Sequence, residues 1–268
     1  MVQSPTRFPN RNINSSRRKL LYKGKTKNIL AAPSPENRVL YFKDEANARN
    51  LGEYTLAGKG AINSRISELM MIRLNEIGID NHYVERLNMR EQLVRKADPF
   101  PFTIVIHNLA DDEFAERYSI NVGTRFDEPI IEFVQKGKNK PLLSKTHILS
   151  LDYADKEQLE DMEELALRAN DFLRGQFLAY DWRLFNFRVE FGQVELSDNP
   201  YDTDVLLIDE ISPEQFTLWD INKERYFVSP HHSLTTEDLS ADYHEFTHKI
   251  GLLEQPVHWM EATDGNAS

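Results

Sequence analysis

Three carboxylates stand on or beside apolar runs late in the chain: Glu190, Asp209 and Glu210. Glu190 lies between Val189 and Phe191, so on a strand it faces away from both. Leu206-Leu207-Ile208 stops at Asp209-Glu210; Ile211-Ser212-Pro213 then turns the chain toward Leu218-Trp219-Asp220. Acids ending a buried strand are costly unless cations meet them. If the two strands pair, Glu190 and Asp209 are candidates to hold one Mg²⁺, with phosphate and water completing its shell. The complementary charge lies near the other end, where Lys23, Lys25 and Lys27 surround Gly24. Glycine lets a backbone approach a ligand closely, and alternate residues of one continuous strand share a face. Cations on phosphate and metal on carboxylate are the minimum of nucleotide chemistry. Taken singly, each feature reads more simply, as a solvated acidic turn and a lysine-protected strand edge.

A second constellation competes. His244-Glu245-Phe246-Thr247-His248 is an H-E-x-x-H run on an expected helix, a pattern that can bind zinc with the glutamate as base. The third-ligand position of the extended motif holds Glu254, and His258 is out of register. Leu239, Tyr243, Phe246 and Ile250 mark instead the core side of an amphipathic helix.

The elements that must position these groups follow from periodicity. Residues 19–30 and 38–42 read as strands, with a Pro-Ser-Pro turn between them. Gly58-Lys59-Gly60 leads into a helix over residues 63–77. Residues 82–87, 102–106 and 130–134 read as strands. Asp155 caps a long helix to residue 177, strands follow at 185–191 and 194–196, and a polar loop covers 197–204. A last helix spans 236–253. Strands and helices without strict alternation indicate an α+β fold with antiparallel sheets.

The 268 residues carry a net charge of −11 and no cysteine. That argues against nucleic-acid or anionic-membrane partners and excludes thiolate chemistry. No apolar run is long enough to span a bilayer, so a cytoplasmic protein is expected. Residues 1–18 contain Arg7, Arg11, Arg17 and Arg18 and no acid. Such a leader fits a transit peptide or, more plainly, a short disordered tail.

Together these blocks resemble one family, phosphoribosylaminoimidazole-succinocarboxamide synthetase (SAICAR synthetase). The resemblance rests on Lys19-Leu20-Leu21-Tyr22-Lys23-Gly24-Lys25-Thr26-Lys27, Phe42-Lys43-Asp44-Glu45-Ala46-Asn47-Ala48 and Ala57-Gly58-Lys59-Gly60-Ala61-Ile62-Asn63. Val84-Glu85-Arg86-Leu87, Arg188-Val189-Glu190-Phe191-Gly192 and Asp209-Glu210-Ile211-Ser212-Pro213 follow in order. It implies a two-lobed fold akin to the ATP-grasp and kinase-like folds, with lobes at 19–98 and 99–254, a hinge at 98–102 and a loose tail at 255–268. It also implies an ATP-dependent ligase that activates a carboxylate as an acyl phosphate and joins it to an amine such as aspartate. By position, Gly24, Lys25 and Lys27 would hold ATP phosphates, and Glu190 and Asp209 would bind Mg²⁺. Arg188 replaces a lysine near the phosphates and acceptor. The partners are then ATP and small-molecule substrates, and homo-oligomer formation stays open.

The departures cluster on the acceptor side. His107 stands where the family has arginine, and Asp112-Glu113 where it has a Gly-Ser turn. Asn186 replaces an aspartate and Thr217 an arginine. Acids in place of Gly-Ser would repel a ribotide phosphate, so the expectation is an ATP-using ligase with substrates differing from the purine intermediate. The alternative is the purine enzyme itself. A nucleotide-binding protein without catalysis is a further alternative, against which Lys25, Glu190 and Asp209 together argue.

Overall fold

The computed structural model describes residues 18–48, 51–195, 203–233 and 235–252. Its first sheet begins with β1 (Leu20–Lys23) and β2 (Lys27–Ala31), which are antiparallel neighbours. Residues 24–26 are a tight turn, so the lysine row expected on one long strand does not form. Gly24 explains the turn: its N–H donates to the Lys27 carbonyl at 2.8 Å, and a Cβ there would lie 2.4 Å from that oxygen. β3 (Asn37–Phe42) pairs with β2, and the ribbon of β4 (Glu45–Ala48) and β5 (Gly52–Thr55) leads to α1 (Lys59–Glu76). α1 starts one turn earlier than its apolar spacing indicates, because its first inward residues are Lys59 and Gly60. β6 (Tyr83–Arg86) and β7 (Glu91–Arg95) complete a five-stranded sheet in the order β1-β2-β3-β7-β6. β7 escaped the sequence pattern because its inward residues are Gln92 and Val94; buried Gln92 donates to the Ser64 carbonyl at 2.6 Å.

The second sheet holds β8 (Asp98–Pro99), β9 (Phe102–Leu109), β10 (Arg125–Gln135), β11 (Leu142–Leu143), β12 (Trp182–Glu195), β13 (Thr203–Ile208), β14 (Phe216–Asp220) and β15 (Arg225–Phe227). Its main path runs β11-β10-β9-β12-β14-β15, with β8 and β13 along the far half of β12. The helices here are α2 (Asp112–Tyr118), α3 (Lys145–Ser150), α4 (Lys156–Leu178) and α5 (Thr236–Lys249). This is the expected α+β fold with antiparallel sheets. α4 begins where Asp155 predicts: its side chain accepts the Gln158 amide at 2.8 Å and Gln158 reciprocates at 3.0 Å. α2 was not expected; its seven residues are too few to show a period.

One apolar cluster runs from Ile66 and Met70 of α1 through Phe102, Ile104 and Phe187 of the second sheet to Leu173, Trp182 and Phe246. Trp182 is fully buried and stacks on Phe246 at 5.1 Å between ring centres. The leader, apart from Arg18, the loop at 196–202 and the tail beyond residue 252 lie outside the described residues. Among the described residues no helix is long and apolar enough to cross a membrane.

Asp44, between β3 and β4, ties α1 to this first sheet. It accepts both terminal nitrogens of Arg90 at 2.6 and 2.8 Å and the Gly60 amide at 2.9 Å. Burial pushes its carboxyl up, but Arg90 and the amides outweigh that and hold it below the ordinary 3.8. A depressed carboxyl adds stability above its unfolded value and loses it as pH falls through the folded one. Asp44→Asn should therefore cost about 1 kcal/mol at neutral pH, given its partial exposure. The gap from the parent should close as pH falls below 3.8; urea unfolding on both sides of that value measures it.

Candidate active site

β12 carries the centre of the site because its alternation is strict over the relevant span. Phe187, Val189 and Phe191 enter the core, leaving Asn186, Arg188 and Glu190 on the opposite face. Glu190 pairs with Ile208, the last residue of β13, so the acids at 190 and 209 meet at one sheet edge as their strands predicted. Asp209 has φ 70°, in the left-handed region. That conformation costs an L-residue about 1–2 kcal/mol, and aspartate tolerates it better than most.

Each acid meets a cation. Asp209 Oδ1 lies 2.7 Å from Lys27 Nζ, and its Oδ2 accepts from Gln215 Nε2 at 2.9 Å. Glu190 Oε2 lies 2.7 Å from Lys136 Nζ, with the Thr103 hydroxyl 3.4 Å from Oε1. Glu210 points inward, fully buried, with Lys27 Nζ at 2.6 Å and the Ser212 hydroxyl at 2.6 Å. Its place is to anchor Lys27, leaving Asp209 as the acid at the edge. Burial works against the Lys27 charge, but the Asp209 and Glu210 carboxylates overcome it and raise its pKa. Burial likewise raises Asp209, and Lys27 reverses the shift to a net lowering. Glu190 goes the other way: burial and the neighbouring Asp209 charge raise it, despite Lys136. His82 is buried beside this cluster, its Nε2 2.9 Å from the Asp209 carbonyl, and burial pushes its pKa down to about 4.

A cation at the Glu190–Asp209 edge would meet oxygen donors only, a hard set that suits Mg²⁺. Two ammonium groups already lie against these carboxylates, which shows that the edge accepts positive charge. No group of three His, Cys, Asp or Glu suited to a metal occurs among the described residues. Phosphate and water would have to complete the shell. Lys25 lies apart: its side chain is exposed in the turn and makes no ion pair among the described residues, while its carbonyl accepts Lys43 Nζ at 3.1 Å.

The acceptor-side residues form a second group. His107 of β9, Asn186 of β12 and Thr217 of β14 sit opposite one another in register, a row across three strands. His107 Nε2 is 3.1 Å from Glu132 Oε2, which Arg117 also approaches at 3.1 Å, and the Tyr118 hydroxyl donates to Oε1 at 3.0 Å. Burial raises the Glu132 carboxyl, and His107, Tyr118 and Arg117 bring it below its ordinary value. The Asn186 amide donates to Asp111 Oδ2, and Asp111 Oδ1 caps α2 by accepting the Phe114 amide at 2.9 Å. Glu113 lies exposed in the first turn of α2, outside the row. Burial first, then the Arg188 charge, lowers the pKa of His231, with Glu214 and then Glu113 opposing.

The H-E-x-x-H run belongs to no metal-suited group of His, Cys, Asp and Glu among the described residues, and Glu254 and His258 lie outside them. Glu245 is held by Lys223 and by Lys249, the latter at 3.3 Å, while Tyr243 and Phe246 fill the core. Sequence reasoning missed His82, Lys136 and Gln215, none of which has a local pattern; the Gly58-Lys59-Gly60 helix entry was visible, but not that Lys59 would pair with Glu214.

The family model for SAICAR synthetase matches residues 20–238. The chain belongs to the SAICAR synthetase family. It is accordingly an ATP-dependent ligase that forms a carbon–nitrogen bond. A phosphoribosylaminoimidazole-succinocarboxamide synthase of Acidiphilium cryptum is 39% identical over 243 residues, covering 90% of this chain and 94% of the relative. The crystal structure of the synthase from Ehrlichia chaffeensis superposes with a TM-score of 0.81 at 34% identity, covering 88% of this chain and 100% of that one. A SAICAR synthetase (Type-2) in complex with ADP matches with a TM-score of 0.77 at 25% identity, covering 87% and 98%. The match extends across both sheets and the whole carboxylate–lysine cluster.

The loop between β13 and β14, which carries Glu210 and Gln215, is pinned by Lys59 of α1. Lys59 Nζ lies 2.7 Å from Glu214 Oε1, with both side chains at most 9% exposed. Lys59→Ala would strand a buried carboxylate and should cost about 3–5 kcal/mol. Lys59→Met combined with Glu214→Leu should recover most of it, which a urea-unfolding cycle on the parent, the single variants and the double variant reads directly.

Proposed function

We propose that this chain carries out the reaction for which its relatives are named, joining the carboxylate of carboxyaminoimidazole ribotide to the amine of aspartate at the expense of ATP. The observation that carries this reading is the Lys27–Asp209 and Lys136–Glu190 pairing at the β12–β13 edge. The near-complete match to the Acidiphilium cryptum synthase supports it. In this reading ATP lies between lobes at 19–98 and 99–254, near the hinge at 98–102. Gly24, Lys25 and Lys27 attend its phosphates. Glu190 and Asp209 hold Mg²⁺, which offsets phosphate charge when bound. The site of action is cytoplasmic, with small molecules as partners.

The chemistry has two steps. A substrate carboxylate oxygen attacks the γ-phosphorus, the bond to the β-phosphate oxygen breaks, and ADP leaves. The amine then attacks the acyl phosphate carbon, phosphate departs with the carbon–oxygen electron pair, and the amine loses a proton to give the amide. Arg188 faces the same side as Glu190 and supplies a fixed positive charge where the carboxylate and phosphoryl group meet. Lys27, released from Asp209, follows the phosphate charge.

A second reading, a different acceptor, is favoured by one observation. Two residues of the row are met by the chain's own acids, His107 by Glu132 and Asn186 by Asp111. Acids in these places, with Asp112 and Glu113 in the first turn of α2, disfavour a phosphate. Incubation with ATP, Mg²⁺, aspartate and the ribotide separates the readings. Succinyl amide formed in step with ADP supports the purine reaction. Turnover only with another carboxylate and amine supports the second reading, and ATP binding without turnover of any pair supports a non-catalytic protein. With whichever pair turns over, Asp209→Asn should lower kcat by about 10²–10³-fold with the fold retained. Unchanged kcat would remove Asp209 from the site.

A further inference from the structure

The catalytic edge is built on a strained residue, and the strain is held by a side chain from the other sheet. Residues 80–82, just before β6, run alongside β13. The Leu207 amide donates to the Asp80 carbonyl at 3.3 Å and the His82 amide to the Leu207 carbonyl at 3.0 Å. On its other side the His82 carbonyl accepts the Arg95 amide of β7 at 2.7 Å. Asn81 fixes this segment further, donating to the Met71 carbonyl at 2.9 Å and to Asn75 Oδ1 at 3.0 Å. His82 is thus clamped between the two sheets, and its ring is delivered to the carbonyl of Asp209 at 2.9 Å. A carbonyl oxygen only accepts, so Nε2 carries the proton and donates.

We infer that His82 is a positioning residue for the Asp209 carboxylate: its Nε2–H holds residue 209 in the left-handed conformation that turns the carboxylate toward Glu190. The inference rests on the ATP-and-metal reading above and adds a residue to it. The carboxylate has few other restraints. Oδ1 is engaged by Lys27, which the proposed reaction draws away toward phosphate, and Oδ2 only by Gln215. Once Lys27 moves, the backbone of residue 209 is the remaining fixed point, together with Gln215. A peptide with φ 70° at a non-glycine residue relaxes unless its surroundings over-determine it. The His82 bond to the carbonyl supplies that determination from an element 127 positions away in the chain. It also makes the carboxylate geometry depend on the packing of the first sheet against the second.

The test uses the full chain and a direct binding readout, Mn²⁺ titrated with ADP present and followed by electron paramagnetic resonance. His82→Leu removes the donor, and His82→Gln keeps an N–H able to reach the same carbonyl. The expected result is that Leu weakens Mn²⁺ binding about tenfold or more, the effect of losing an outer partner of a ligand. Gln should stay within about threefold of the parent on the same scale. Equal affinity for Leu and the parent overturns the inference. So does a loss of about tenfold or more in Gln, because donation is then not what matters; this arm needs only the parent and Gln and decides the question if Leu does not fold. A parent chain that binds ADP but no Mn²⁺ overturns the metal reading and this inference together. Mn²⁺ binding lost in Asp209→Asn but untouched by both His82 variants keeps the first and overturns the second.

Discussion

Everything at the working edge of this protein depends on one buried ammonium. Lys27 lies against Asp209 and Glu210 and ties the second strand of the first sheet to the end of β13. Burying its charge costs several kcal/mol, and only close carboxylates offset it. Asp209 in turn is brought below its ordinary value, against its burial, because Lys27 is there. Neither side of the contact is stable without the other or a substitute cation. With Lys136 and Glu190 included, two ammonium groups face three carboxylates, so the carboxyl groups outnumber the cations that meet them. In the proposed reading a divalent cation would take the place of a lysine at this edge, and the lysine would follow phosphate.

The same contact explains the division of labour between adjacent acids. Glu210 is turned inward and spends its oxygens on Lys27 and Ser212, so it anchors. Asp209 adopts a left-handed backbone and remains at the edge, the place from which it would meet a ligand in the proposed reading. Lys59 and Glu214 lock the following loop, and His82 fixes the peptide of residue 209. The site is therefore assembled at the junction of the two sheets rather than on either one.

The acceptor side obeys a different logic. Its polar residues are paired with acids of the chain itself, His107 with Glu132 and Asn186 with Asp111. Family membership fixes the reaction type; in the proposed reading this row is where carboxylates would be told apart, because specificity is set by which groups a substrate must displace or leave unpaired.

Much of this was legible in the residues. The apolar spacing of α4 with its Asp155–Gln158 cap, the alternation of β12 and the run ending at Asp209 each depend on local periodicity, which a sequence displays directly. So does the ordered set of motifs that marks the family. What the sequence misled about was also local: the lysine row at 23, 25 and 27 dissolved because Gly24 turns the chain, and β7 hid because Gln92 points inward. The sequence by itself determined the long periodic elements, the family and the pair of acids. Tertiary structure alone decided which acid turns inward and which stays at the edge, which lysines meet the acids, and that the His82 ring reaches the Asp209 carbonyl. The reason is physical: burial, ion pairing and backbone strain arise only when segments far apart in the chain close on one another, and no local pattern records the partner.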